Sequence, residues 1–212
     1  QNSPGRKIKV TGANPSGTCT VTNFSFGGSN LANTYKLEID CGANNFVMTG
    51  SSTTNNATID YLATNTGTFT ATGSTLNFTG GALNISMVGR GSTYVWGTIQ
   101  NTGGVGQFLT LLSDVYVNTI GATSNLTQFN GIGYTLHVFG NVGTMPGISG
   151  TATLKFIGSS TATWTQNAAT TNALKVTFAK TAPASVIIPN SFIYTGSLMK
   201  WDSGAVTHSG TL

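Results

Sequence analysis

The segments S-T-L-N-F (74–78), S-T-Y-V-W-G-T-I-Q-N (92–101) and L-T-L-L-S-D-V-Y-V (109–117) are answered later, in the same order. Their counterparts are T-A-T-L-K-F (151–156), S-T-A-T-W-T-Q-N (160–167) and V-I-I-P-N-S-F-I-Y (186–194). The interval from Leu76 to Leu154 equals that from Phe78 to Phe156, the one from Trp96 to Trp164 is shorter, and that from Leu109 to Val186 is nearly full length again. The order survives while the spacing slips and recovers. One extra strand in each copy, 80–88 in the first and 172–178 in the second, accounts for the slip. Architectures that absorb a strand without disturbing its neighbours are built by stacking. The expected fold is therefore all-β, a right-handed parallel β-solenoid, with a β-sandwich or jelly roll as the competing arrangement. Two degenerate copies, about 73–149 and 150–212, form the repetitive region 66–212. Residues 1–65 match it poorly and read as an N-terminal β cap or attachment region.

Composition supports this reading. Charged residues make up only 7% of the chain, and the polar surface falls instead to 28 Gly, 37 Thr, 20 Asn and 19 Ser. A hydrophobic fraction of 39%, spread evenly, is enough for a core and separates this chain from disordered ones. No segment carries the i, i+3, i+4, i+7 apolar spacing of a helix, while short runs rich in Thr, Val, Ile and aromatics recur between Gly, Asn and Ser. The run Tyr35–Cys41 alternates cleanly, with Leu37, Ile39 and Cys41 on one side and Lys36, Glu38 and Asp40 on the other. Asn-Gly and Asp-Gly hairpin turns are scarce, which favours stacked coils over a sandwich. With ~20–25 residues per coil and strands ~4.8 Å apart, the chain makes about nine coils and a rod of roughly 40–45 Å.

Charge excludes some partners. The formal net charge of +4 comes from nine cations and five anions, and only Arg6, Lys7 and Lys9 cluster. That is too sparse for the dense phosphate contacts of a nucleic-acid surface. No apolar run approaches the ~18 residues of a membrane span. Cys19 and Cys41 are about one coil apart in sequence and are expected to form a disulfide worth ~3 kcal/mol, in keeping with an oxidising compartment. Two buried free thiols are the alternative.

Leu109–Asn118, Phe129–Val142 and Ser185–Leu212 share the cadence strand, Ser/Asn-Asp/Ser, strand, Thr-Gly, strand, Ser-Gly, strand. This resembles the Thr/Gly-rich β-solenoid repeats of phage tail fibres and tailspikes and of large bacterial surface adhesins. The resemblance covers about 66–212. It implies a structural stalk or adhesive surface displayed outside the cell, on a cell or a virion, and it carries no catalytic residues to transfer. The expected function is a non-enzymatic structural module of an extracellular fibre or virion appendage. The alternatives are a glycan-degrading tailspike and a carbohydrate-binding module.

Chemistry-bearing residues are few. The acids are Glu38, Asp40, Asp60, Asp114 and Asp202. Glu38 and Asp40 lie i, i+2 on one strand face with Asp60 a coil away, which is the best available carboxylate set for glycoside hydrolysis. The same spacing also arises when charges simply face solvent. His137 and His208 lack a second ligand at metal spacing, so neither a metal nor a cofactor is expected. Tyr94, Trp96, Trp164 and Trp201, close to Asn and Gln, could stack on sugar rings if exposed, or fill the coil interior if not. The C-terminal strand 205–212 carries no Asp, Glu, Lys or Arg, so another chain or further sequence is expected to cover it. A homotrimer or a head-to-tail filament follows as the expected assembly.

Overall fold

The computed structural model describes residues 6–9, 17–27, 35–55, 57–79, 84–104, 107–123, 125–145, 147–165, 171–188 and 193–208. The first coil contributes β1 (Arg6–Lys9), β2 (Thr18–Val21) and β3 (Ser25–Gly27), and the second β4 (Tyr35–Asp40), β5 (Asn45–Met48) and β6 (Ser51–Asn55). The next three are built from longer pieces that bend from one face onto the next. They are β7 (Ala57–Tyr61) with β8 (Phe69–Phe78), β9 (Asn84–Val88) with β10 (Val95–Asn101), and β11 (Gln107–Leu111) with β12 (Val115–Thr123). There follow β13 (Leu126–Asn130), β14 (Thr135–Val138) and β15 (Val142–Thr144), then β16 (Thr153–Gly158) and β17 (Ala162–Thr163). The last coils hold β18 (Thr171–Asn172), β19 (Lys175–Lys180) and β20 (Ser185–Ile188), then β21 (Ile193–Tyr194), β22 (Met199–Ser203) and β23 (Ala205–His208).

Every strand pairing among the described residues is parallel, and each joins one coil to the next. The first face stacks β1-β4-β7-β9-β11-β13. The second is nine strands deep, β2-β5-β8-β10-β12-β14-β16-β19-β22. On the third, β3 and β6 lead into the second halves of β8, β10 and β12, and β17-β20-β23 close the far end. This is a β-solenoid. Antiparallel sheets face to face, as in a sandwich or jelly roll, do not occur among the described residues. The pairing crosses residue 65 without a break, since β5 and β6 both pair with β8 and β7 pairs with β9.

Alternation along each strand builds the core. Leu37, Ile39 and Cys41 are buried, as the sequence pattern requires, and their neighbours on the next rung, Ile59 and Tyr61, are buried with them. On the second face one inward row reads Ala71, Trp96, Val117, Val138, Phe156, Phe178, Trp201, in steps of unequal length. A single hydrophobic cluster runs from Leu37 to Val186. Corners need close backbone approach. At Gly89 a Cβ would sit 1.6 Å from the Asp114 carbonyl oxygen, so only glycine lets those coils meet there.

The stack is present, but the repeat that suggested it is out of phase. Leu76 lies on the third face, where its row runs through Ile99, Ile120 and Val142 to Trp164. Leu154 lies on the second face between Leu136 and Val176. Trp96 therefore shares its row with Trp201, and Trp164 belongs to another. Nor are the segments 80–88 and 172–178 insertions: β9 and β19 are ordinary rungs paired on both sides. The interval between the echoing phrases is not a whole number of coils, so similar phrases fall on different faces.

Candidate functional site

The acidic residues singled out in the sequence do come together, on the outer side of the first face. In the parallel register Glu38 stands across from Asp60, while Lys7 and Lys9 of the first rung stand across from Glu38 and Asp40. Lys36 Nζ lies 2.7 Å from Glu38 Oε1 and 3.6 Å from Asp60 Oδ2. Arg90, a coil further on, donates from Nη2 to Asp60 Oδ1 at 2.6 Å and from Nε to the same oxygen at 3.1 Å. Its Nε also donates to the Tyr61 carbonyl at 2.7 Å. The Glu38 hydrogen bond is the main reason that the Lys36 ammonium is held above its ordinary pKa, with Asp60 adding to it.

This is an ion-pair ladder across adjacent coils, with two cations, Lys36 and Arg90, on either side of two carboxylates, Glu38 and Asp60. A glycosidase acid must keep its proton near neutrality, which requires an apolar or like-charged setting. Here Glu38 and Asp60 are cross-strand neighbours, with Lys36 beside both and Arg90 on Asp60. The Asp60 side chain is buried to 7% exposure, and its Arg90 contact matches the compensation a buried carboxylate needs. The arrangement binds neighbouring coils together.

The expected disulfide is not formed: Cys19 and Cys41 are free thiols. Cys19 on β2 is stacked on Phe46, whereas Cys41 follows β4 on the first face, so the two are not in register. Burial pushes the Cys41 thiol up to about 11.

The aromatic candidates divide. Trp96 and Trp164 are in the core. Tyr94 is half-buried and meets Tyr61 at 5.2 Å and Phe69 at 5.9 Å, within an aromatic cluster that also holds Phe46 and Trp96. Trp164 packs 5.5 Å from Phe156, and its polar neighbours Gln166 and Asn167 lie outside the described residues. Of the four, Trp201 alone is open to solvent, at the far end of the stack.

His137 projects from the second face and lies flat on Tyr116, with ring centroids 4.2 Å apart and planes within 4°. Asp114 Oδ2 is 3.6 Å from its Nε2, too long for a hydrogen bond, and burial lowers the imidazole pKa despite that carboxylate. His208 is in β23, across from Ile188. Among the described residues no group of three His, Cys, Asp or Glu side chains could hold a metal ion, and no helix is long and apolar enough to cross a membrane.

Two features were not singled out in the sequence. At the corner between the second and third faces, a groove of about 410 Å³ crosses five coils. Thr72, Asn118, Ser159 and Ser160 supply its polar groups and Phe139 and Val95 its apolar surface, with no charged residue in the lining. Gly158, at φ +87°, makes room for Phe139: a Cβ there would lie 2.8 Å from the ring. Near this corner is Lys180, wholly buried, donating to the carbonyl oxygens of Phe139 at 2.5 Å and Ile157 at 2.7 Å. Burial pushes its pKa down to about 8. Both acceptors belong to earlier coils, so no local pattern announces these contacts.

The chain matches no protein-family model, no curated protein and no solved structure.

Proposed function

We propose that this chain is a non-enzymatic structural module of an extracellular fibre or virion appendage, a rod that assembles with copies of itself and presents a neutral polar surface. The observation that carries this reading is the ion-pair ladder. Of the three candidate carboxylates Glu38, Asp40 and Asp60, Glu38 and Asp60 are tied to Lys36 and Arg90 in contacts that join coils. What remains outside is mostly Thr, Ser, Asn and Gly, which solvate a rod without recruiting charged ligands. The test is hydrolysis. Incubation with a panel of bacterial capsular polysaccharides should release no reducing ends. Release that disappears in Glu38→Gln or Asp60→Asn, with the fold intact, overturns the reading in favour of a depolymerase.

The corner groove favours a second reading, carbohydrate binding without cleavage. An aromatic ring flanked by hydroxyls and an amide, free of charge, suits a neutral polyhydroxylated ligand. Titration calorimetry with neutral oligosaccharides tests it: a heat signal lost in Phe139→Ala supports binding, and no signal in the unaltered chain dismisses it.

A further inference from the structure

The corner between the second and third faces is uneven along the stack. From the inward row of one face to that of the next, the chain spends 72–75 after Ala71, 97–98 after Trp96 and 118–119 after Val117. It then spends 139–141 after Val138 and 157–163 after Phe156. The middle corners are short, whereas the longer ones at either end carry exposed residues, 72–73 and 159–161. Gly97 fits beneath the first long corner, where a Cβ would lie 2.1 Å from the Ser74 carbonyl oxygen. Ser74 Oγ fastens that corner by donating to the Ala71 carbonyl at 2.6 Å. At Gly140 a Cβ would come within 2.8 Å of the Asn118 carbonyl oxygen, so main chain lies close on main chain in the floor. The groove of about 410 Å³ is thus a trough, closed along the stack by Thr72 at one end and by Ser159 and Ser160 at the other.

Elsewhere on the corners, polar side chains serve the neighbouring coil. Asn141 Oδ1 accepts from the Thr163 amide at 2.8 Å, Thr151 Oγ1 from the Gly131 amide at 3.0 Å, and Ser113 Oγ from the Gly89 amide at 2.7 Å. In the trough, no side-chain hydrogen bond to a described residue engages Thr72, Asn118, Ser159 or Ser160. Phe139 lies on the floor among them, and the buried Lys180 holds its carbonyl together with that of Ile157. Three coils are clamped at this point, so the main chain under the ring is fixed.

An occupant must bring an apolar face for Phe139, hydroxyls for the free side chains, and no charge, since no charged residue lines the trough. A pyranose offers C–H groups on its face and hydroxyls at its rim. An extended chain of such rings advances by about one rung spacing, ~4.8 Å, per ring. The two walls stand four rung steps apart along the row from Ala71 to Phe156, ~19 Å, which leaves a floor about three rungs long.

We propose that this trough binds the end or a short branch of a neutral, extended glycan, about three pyranose rings laid along the stack with one stacked on Phe139, and that the two long corners set this length. The proposal rests on the carbohydrate-binding reading above and adds the form and length of the ligand.

The test is titration calorimetry of the whole chain with β-1,4-linked glucose oligomers of one to six units. Affinity should rise with each unit up to about three and change by less than about twofold beyond that. Phe139→Leu keeps an apolar side chain against Gly158 and should weaken trimer binding about tenfold, whereas Phe139→Tyr should retain it. Thr72→Trp and Ser160→Trp, both at exposed corner positions, fill the two ends and should lower the affinity for the trimer toward that for the dimer. Affinity that keeps rising through six units, or wall variants that leave the trimer unaffected, overturns the closed trough while carbohydrate binding stands. Absence of heat with every oligomer overturns both, so the two failures are distinguishable.

Discussion

The first and last described rungs of the stack carry different residues at matching positions. At the N-terminal end β1 places Arg6 in register with Leu37, and the alternate positions of the first two rungs carry Lys7, Lys9, Lys36, Glu38 and Asp40. At the C-terminal end Met199 and Trp201 occupy the rows, and the strand shows its core residues to solvent. Solenoids guard their ends with charge or polar caps because an unpaired apolar edge invites further strands. Among the described residues the last rung shows Met199 and Trp201 to solvent, while the same rows are dry in the interior.

The sharpest way to break this comparison is to remove the same residue at both places. Trp96→Ala should cost about 3–5 kcal/mol in urea unfolding, as expected for a large buried aromatic. Trp201→Ala, at a side chain 59% exposed, should cost under about 1 kcal/mol. Equal losses would mean that the last coil is already as closed as the interior.

Next in size is Asn65, which closes the corner after β4 and β7. Its Oδ1 accepts from the Cys41 and Gly42 amides at 2.7 and 2.8 Å, and its Nδ2 donates to the Ile39 carbonyl at 2.8 Å. Asn65→Ala should cost about 3 kcal/mol by stranding these groups. Hydrogen exchange should show the loss in the N-terminal coils while leaving β19 and β22 protected, which would sharpen the contrast between the ends.

Lys180 marks the C-terminal half by pH. Its pKa falls from 10.5 toward about 8 on folding because burial penalises the ammonium. Between about pH 8 and 10.5 the unfolded chain holds the proton that the folded chain has released. Stability due to this group therefore rises with pH across that window, by at most ~3 kcal/mol. Cys41 acts oppositely above pH 9, since its thiol stays protonated longer in the fold. The difference between the unaltered chain and Lys180→Met isolates the lysine. A difference in unfolding free energy that stays flat from about pH 7 to 10 would count against a buried ammonium there. The smallest effect is Glu38→Gln, about 0.5 kcal/mol, because both Glu38 and its partner Lys36 are partly solvated.

Much of the architecture could be read from residues close together in sequence. The alternation in Tyr35–Cys41 places its own core residues correctly, and the lack of helical spacing matches a chain of strands. Stacking was legible as well, though through echoes that the register does not honour. Trp96 and Trp164 look equivalent because both follow Ser-Thr phrases. Yet the row step from Val138 to Phe156 is shorter than that from Ala71 to Trp96, and a variable step hides which face a residue reaches. The acid ladder was half legible. Parity put Glu38 and Asp40 outward, but the cations that neutralise Asp60 come from Lys36 one coil before it and Arg90 one coil after. Asn65 and Lys180 gave no signal, because their partners are main-chain groups of other coils. The disulfide expectation failed for a related reason: a one-coil spacing in sequence does not place two cysteines in the same row.

The unequal row steps also have a practical meaning. Strand pairing joins each coil to its immediate neighbours, so a corner can lengthen while the flanking strands keep their places, at an entropic cost of only ~0.6 kcal/mol per doubling of loop length. The turn at Gly131–Tyr134, where Ile132 is 85% exposed, is such a corner. Foreign peptides spliced there would be carried at a fixed height along the shaft, so that the number of rungs sets spacing and the corners set the cargo.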